Sequence, residues 1–184
     1  MNKIPTLFVR DPEDRRHLLH KVTPGCEWVM AGEGQATRKY DGTCVAFDGD
    51  DWWARREVKP GKQPPPNWHP IGDPDPNTGK QVGWEPIEQS GFHKFWLEAV
   101  AWHDRWDPGT YELCGPKVNG NPEGYVGHTL IRHDTAERAP SMDHPVDTEY
   151  VRLGVHNLSR LGWEGIVWHH PDGRMCKIKA RDFA

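Results

Sequence analysis

Residues 37–45 read TRKYDGTCV. Asp41-Gly42 is among the commonest reversal signals, and Thr37, Thr43 and Val45 on either side favour extended chain, so the stretch predicts two strands about a tight turn. Lys39 then falls just before or within the first strand. It is either a solvated strand residue beside an ordinary turn or a nucleophile. Taken alone, these nine residues favour the solvated lysine.

The rest of the chain bounds the choice. Its 184 residues suffice for one domain with a real core, and a single domain spanning 1–184 is expected. Hydrophobic residues make up only 35%, but ten Trp, four Tyr and five Phe bring large apolar area per residue, so the chain should fold rather than stay disordered. A net charge of −4 excludes coating of nucleic acid through bulk basicity and leaves room for a local basic groove. Cys26, Cys44, Cys114 and Cys176 form no C-x-x-C pair, and free thiols in a reducing cytosol are the simplest reading. Neither His169-His170 nor His128 with His133 has a metal-ligand frame, and no zinc site is assigned. No segment approaches the roughly eighteen apolar residues of a membrane span, so a soluble, cytoplasmic monomer without membrane partners is expected.

Along the chain, Asp11-Pro12 before EDRRHLLHKV predicts a short N-capped helix with Leu18, Leu19 and Val22 turned inward. CEWVMAGEG and ATRKYDGTCVAFDGDDWWARREV read as extended, with a hairpin reversal over Asp48–Asp51. Residues 59–91 are so dense in Pro and Gly that neither a regular helix nor a central strand is expected there, only a long loop, passive or a substrate flap. FHKFWLEAVAWHDRW, 92–106, has the apolar spacing of a core-packed helix, and VDTEYVRLGVHNLSRLG that of a second. GTYELCGPKV and YVGHTLIRHD read as strands. EGIVWHH and RMCKIKARDF read as a hairpin joined at Pro171-Asp172-Gly173. The class is α+β, mainly antiparallel sheets with flanking helices, and no internal repeat is present.

Three polar features stand out. In KIKAR, alternation sends Lys177, Lys179 and Arg181 to one face, either a basic cluster or an edge guarded by lysines. In EGIVW the same alternation groups Glu164 with Ile166 and Trp168 and leaves a carboxylate at the strand's start, where a magnesium ion could be held. In YELCGPK, Glu112 stands between two packing residues and emerges on the polar side. Each alone has a bland reading as a solvated charge.

Their order changes that. Lys-x-Asp-Gly, a Glu-bearing strand, Glu-Gly-Ile-Val after a helix, and a final Lys-x-Lys resemble the covalent nucleotidyltransferases, the polynucleotide ligases and mRNA capping enzymes. The resemblance runs from 37 to 181. KYDGTC, RREVKPGK, YELCGPKVNGNPEG and EGIVWHH look most like the compact, stand-alone RNA ligases of the vertebrate 5′-to-3′ type. The resemblance implies a ligase adenylation (ATP-grasp-like) domain. It implies Lys39 as nucleophile toward ATP, Glu112 as acceptor from the ribose, Glu164 as the residue that binds or orients Mg2+ (or Mn2+), and Lys177 and Lys179 on the phosphates. Asp41 shapes the lysine loop and is a second metal candidate. RNA ends are the implied partner, and a DNA ligase, a GTP-using capping enzyme or a non-catalytic RNA-end-binding module are the alternatives.

Two departures are visible. Many DNA ligases carry Arg two residues after the K-x-D-G glycine, where this chain has Cys44; Arg55, Arg56 and Lys59 are candidates to replace it, and Arg55 is assigned to the nucleotide. Lys62 is a further phosphate candidate, and Tyr125 a candidate to stack on adenine. The chain ends at Ala184, three residues past Arg181, so no OB domain is expected. The chemistry explains the composition of the cluster. A lysine of ordinary pKa, about 10.4, is neutral in about one molecule in a few thousand near pH 7, and neighbouring cations that make its charge costly also neutralise phosphates.

Overall fold

The computed structural model describes residues 3–14 and 17–183. In chain order the elements are β1 (Phe8–Arg10), β2 (Leu18–Val22), α1 (Glu27–Met30), β3 (Gln35–Lys39), β4 (Thr43–Phe47), β5 (Trp52–Val58), β6 (His69–Pro70) and β7 (Gln81–Pro86). They continue with α2 (His93–Val100), β8 (Gly109–Cys114), β9 (Thr129–Arg132), α3 (Thr148–Ser159), β10 (Gly165–His169) and β11 (Met175–Lys179). The class is α+β, and every pairing between these strands is antiparallel. The chain divides into two compact units, one built from 4–40 with 136–184, the other from 41–135 with Lys3.

In the first unit a three-stranded sheet runs β11-β10-β3. Alternation along β10 and β11 buries Ile166, Trp168, Cys176 and Ile178 completely. They pack with Phe8, Val29, Val151 and Val155 into one core. Each such aliphatic or aromatic side chain contributes roughly 1.5–3 kcal/mol on leaving water. Trp168 could not be buried without a partner for its indole N–H, which donates to the carbonyl of Met142 at 2.7 Å. α3 starts where Asp147 caps it, Oδ1 accepting from the N–H of Tyr150 at 2.7 Å, and it turns Val151 and Val155 inward one helical turn apart.

In the second unit a six-stranded sheet is ordered β6-β7-β5-β4-β8-β9. One face carries Val45, Trp52, Ala54, Tyr111 and Leu113 against Ala99 of α2, Ile87 and Val118. Trp52 is its aromatic hub, stacked on Phe47 at 5.0 Å and meeting Trp96, Trp106 and Tyr111 at 5.8, 5.6 and 5.3 Å. The reversal between β4 and β5 lies where the sequence placed it. There Asp48 Oδ1 accepts from the N–H groups of Asp50 and Asp51 at 2.9 and 2.8 Å.

Four expectations are corrected. EDRRHLLHKV does not form a helix over its described residues. Asp11 Oδ1 instead closes a turn on the N–H of Glu13, and Leu18–Val22 pairs with β1. Leu18 and Val22, four residues apart on one face of the strand, pack against the core, and Leu19 is exposed; Arg15 and Arg16 lie outside the described residues. Glu27–Met30 is a helical turn rather than extended chain, because both Trp28 and its neighbour Val29 are buried and a strand would send them to opposite faces. Gln81–Pro86 is an interior strand between β6 and β5, within the stretch read as loop. The prolines flank it: Pro86 is its last residue and Pro70 sits in the edge strand, so the ladder loses little. α2 is shorter than 92–106, stopping at Val100 and leaving Trp102 exposed.

Among the described residues no helix is long and apolar enough to cross a membrane. None of the four cysteines is in a disulfide.

Gly165 is the tightest point of the three-stranded sheet: a Cβ there would lie 2.1 Å from the carbonyl oxygen of Ile178 and 2.8 Å from Cα of Lys179, both backbone. Gly165→Ala should therefore cost about 1–3 kcal/mol by overpacking. Gly91→Ala, where nothing lies within 4 Å of the added carbon, should stay within about 0.5 kcal/mol. Urea midpoints of the two variants measure the difference.

Candidate active site

Gly165 stands opposite Lys39 on one side and Lys179 on the other. Cross-strand partners share a face, so both lysines flank the residue that has no side chain. Lys177 is on that face too, opposite Val167 and half-buried. Glu164 lies one residue before β10, outside the ladder. Alternation would have grouped it with Ile166 and Trp168, which are in the core. Freed from the ladder, its carboxylate takes the opposite course: Oε2 accepts from Nζ of Lys39 and Oε1 from Nζ of Lys179. Its own backbone carbonyl accepts from the N–H of Ala180 at 3.1 Å, which pins it against the end of β11.

The third cation of KIKAR arrives by a different route from the one predicted. β11 ends at Lys179 and the chain turns through a 3-10 segment, yet Nη2 of Arg181 still stands 3.6 Å from Glu164 Oε1, on a side chain 70% exposed. Asp182, buried in that turn, accepts from the N–H of Lys179 at 2.9 Å and pairs with Arg10, so the turn is itself held. Lys39 also donates to the carbonyl of Tyr40 at 3.3 Å.

The trio is withdrawn from water, Lys39, Glu164 and Lys179 keeping 18%, 9% and 17% of their side-chain exposure. Burial pushes the Glu164 carboxyl up, but the charge of Lys39 and the hydrogen bonds from Lys179 and Lys39 outweigh it, and the group is held below the ordinary glutamate value. It is ionised at neutral pH. One carboxylate against Lys39, Lys179 and Arg181 leaves surplus positive charge, the right sign for a polyphosphate.

The second unit gathers the other predicted residues. Glu112 is the Cα partner of Cys44, so the two share a face. Ala46 links Thr110 to Trp53 across the same face, and Arg55, two residues on from Trp53, stands there too; Arg56 points to the other side and is exposed. Lys59 and Lys62 follow β5 as exposed residues of the turn. Glu112 is engaged on both oxygens. Oε1 accepts from the N–H of Gly42 at 3.1 Å, and Oε2 meets Nε2 of His133 at 2.9 Å, whose Nδ1 is 2.9 Å from the hydroxyl of Thr110. Gly42 must be glycine. A Cβ would lie 2.3 Å from the carbonyl oxygen of Leu113 and 2.9 Å from Cγ of Glu112.

Asp41 has two partners as well: its N–H donates to Glu123 Oε1 at 2.9 Å, and its Oδ1 accepts from Nδ2 of Asn119 at 3.0 Å. Tyr125 belongs to the same loop, where its N–H and carbonyl are bound by Asn121. Sequence reasoning missed Asn119, Glu123 and His133. The signal available was the run CGPKVNGNPEG, whose glycines and asparagines announce left-handed backbone directly after the Glu112 strand.

No protein-family model matches the chain. Among curated proteins it is similar to RNA ligase 1 of Rattus norvegicus, 27% identical over an alignment that covers 69% of this chain and 49% of that protein. The relationship is to an RNA ligase. The chain spans about half the length of that relative.

The depressed Glu164 carboxyl has a thermodynamic consequence. A group whose folded pKa lies below its unfolded value, 4.5 here, contributes stability that is present above 4.5 and lost as pH falls through the folded value. Wild type should exceed Glu164→Gln in unfolding free energy at pH 7, and the gap should close as pH falls below 4.5 and through the folded value. Urea unfolding at a series of pH values reads it out; a gap constant down to pH 3 would mean that the pair contributes nothing.

Proposed function

We propose that this chain is an ATP-dependent RNA ligase that joins a 5′-phosphate to a 3′-hydroxyl through a lysyl-AMP intermediate on Lys39. The observation that carries the reading is the pairing of Lys39 and Lys179 on one carboxylate, Glu164, across Gly165, in a chain related to an RNA ligase. A lysine withdrawn from water beside further cations is the arrangement an amine nucleophile for a phosphate needs.

In this mechanism the ammonium of Lys39 first gives up a proton to solvent, and its hydrogen bond to Glu164 is broken. Its lone pair attacks the α-phosphorus of ATP, a P–N bond forms, and the α–β phosphoanhydride bond breaks to release pyrophosphate. A 5′-phosphate oxygen of RNA then attacks the same phosphorus and the amine of Lys39 departs, taking a proton. Attack by the 3′-hydroxyl on the activated 5′-phosphorus forms the phosphodiester and releases AMP, the hydroxyl proton passing to solvent. Each step is an in-line displacement in which positioning and charge do most of the catalysis. Lys177 and Lys179 neutralise phosphate oxygens, Glu112 accepts from the ribose, and Arg55 is the nucleotide contact that takes the place of the arginine absent at Cys44.

Among the described residues no three His, Cys, Asp or Glu are grouped to hold a metal by themselves. That suits Mg2+ (or Mn2+), which keeps several waters and is commonly held by one carboxylate and substrate phosphates. Glu164 would hold it, with Asp41 as a second candidate, and when bound it supplies charge neutralisation at the phosphates. The reading includes a cytoplasmic monomer acting on RNA ends.

Lys39→Ala should abolish the gain of one AMP on incubation with ATP and magnesium, seen by intact mass, while its circular dichroism stays that of wild type. Glu164→Ala, Lys177→Ala and Lys179→Ala should each slow adenylylation a hundredfold or more, about 3 kcal/mol, and Arg55→Ala less. Oligonucleotides with 5′-phosphate and 3′-hydroxyl ends, RNA and DNA, nicked and single-stranded, define the substrate. Equal sealing of DNA, or transfer from GTP alone, would replace the RNA-ligase reading by a DNA ligase or a capping enzyme.

A further inference from the structure

Four polar groups of the turn that follows Lys39 are held by residues that its motif does not contain. The N–H of Asp41 goes to Glu123, the N–H of Gly42 to Glu112, and both the carboxylate of Asp41 and the carbonyl of Gly42 take hydrogen bonds from Nδ2 of Asn119, at 3.0 and 2.7 Å. One amide nitrogen thus spends both of its protons on two successive residues. The loop that presents it is costly to build. Lys117, Asn119 and Asn121 all have positive φ, 67°, 48° and 57°, with Gly115, Gly120 and Gly124 at 137°, 79° and 69°.

Such backbone persists only where its surroundings over-determine it, and it concentrates at functional sites. Here the surroundings are visible. Val118 is fully buried in the core of its unit. Asn121 clamps Tyr125 through both its amide atoms, and the N–H groups of Val118, Asn121 and Gly124 close successive turns. His128, itself buried, meets the carbonyl of Pro116 through Nε2 and Glu98 through Nδ1 at 2.7 Å, fastening both ends of the loop to α2.

We infer that Asn119 is a positioning residue for the reaction: it fixes the Asp41-Gly42 turn, which follows the reactive lysine by two residues in the chain. The inference rests on Lys39 being the nucleophile. Asn is suited twice over, because it tolerates the left-handed backbone and carries two N–H donors on one atom. Those two qualities can be separated. Asn119→Gly keeps the backbone freedom and removes the donors. Asn119→Asp keeps size and backbone tolerance, removes the donors and sets a second carboxylate against Asp41.

The test measures, on the full chain, the single-turnover rate of AMP attachment at saturating ATP, the ATP concentration for half-maximal rate, and amide hydrogen exchange across residues 40–43. Expected for Asn119→Gly is a rate at least tenfold lower, a half-saturating concentration changed less than threefold, and faster exchange at 40–43 with protection of β8 and β10 unchanged. Asn119→Asp should be slower still. If Asn119→Gly keeps both the wild-type rate and the wild-type exchange, the residue serves only its own backbone conformation and the inference is overturned. If exchange at 40–43 rises and the rate does not fall, the turn needs no fixing and the inference is likewise overturned. Absence of AMP attachment in wild type, or its persistence in Lys39→Ala, would instead defeat the ligase reading. Exchange unchanged in both Asn119 variants would overturn the inference whatever the activity.

Discussion

A single carboxylate organises the candidate chemistry of one half of the molecule. The Glu164 side chain keeps only 9% of its exposure, and the cations beside it compensate its charge for lost water. It finds Lys39 and Lys179 because Gly165, the next residue, has no side chain and lies between them in the ladder. A larger residue at 165 would meet the backbone of β11 and move the lysines apart. Charge and close packing are therefore one constraint, met by the dipeptide Glu-Gly.

Such a pair is a poor device for stability, since the desolvation of two charges consumes most of the Coulombic gain. It is a better device for holding a reactive group. While Glu164 holds Lys39 in place, Lys179 and Arg181 beside the same carboxylate leave the site with surplus positive charge, which phosphates can balance. The same groups would thus hold the resting site together and be reassigned when phosphates arrive, with no change in the protein scaffold required.

The other half shows the same economy with neutral donors. Glu112, Glu123 and Asn119 bind both amides, one carboxylate oxygen and one carbonyl of Asp41 and Gly42, two residues in a turn. Groups in such a position normally turn to water. Binding them with side chains exchanges mobility for a defined turn, at the cost of several residues in left-handed backbone.

Much of this was readable in the residues alone. Periodicity located β3, β4, β5, β8, β10 and β11 and both long helices, because alternation and helical spacing are local properties that burial enforces. The order of Lys39, Glu112, Glu164 and Lys179 along the chain identified the groups worth watching. Local pattern misled at Gln81–Pro86, where Pro and Gly at the ends of a strand looked like a loop, and at Leu18–Val22, where Asp11 served a turn instead of a helix cap. Only the tertiary structure decided that Glu164 leaves the face its strand assigns it, since the rule of alternation stops at the last laddered residue. Only the tertiary structure could bring Asn119 to Asp41 across seventy-eight positions of chain, because a side chain's partner is set by where the backbone returns.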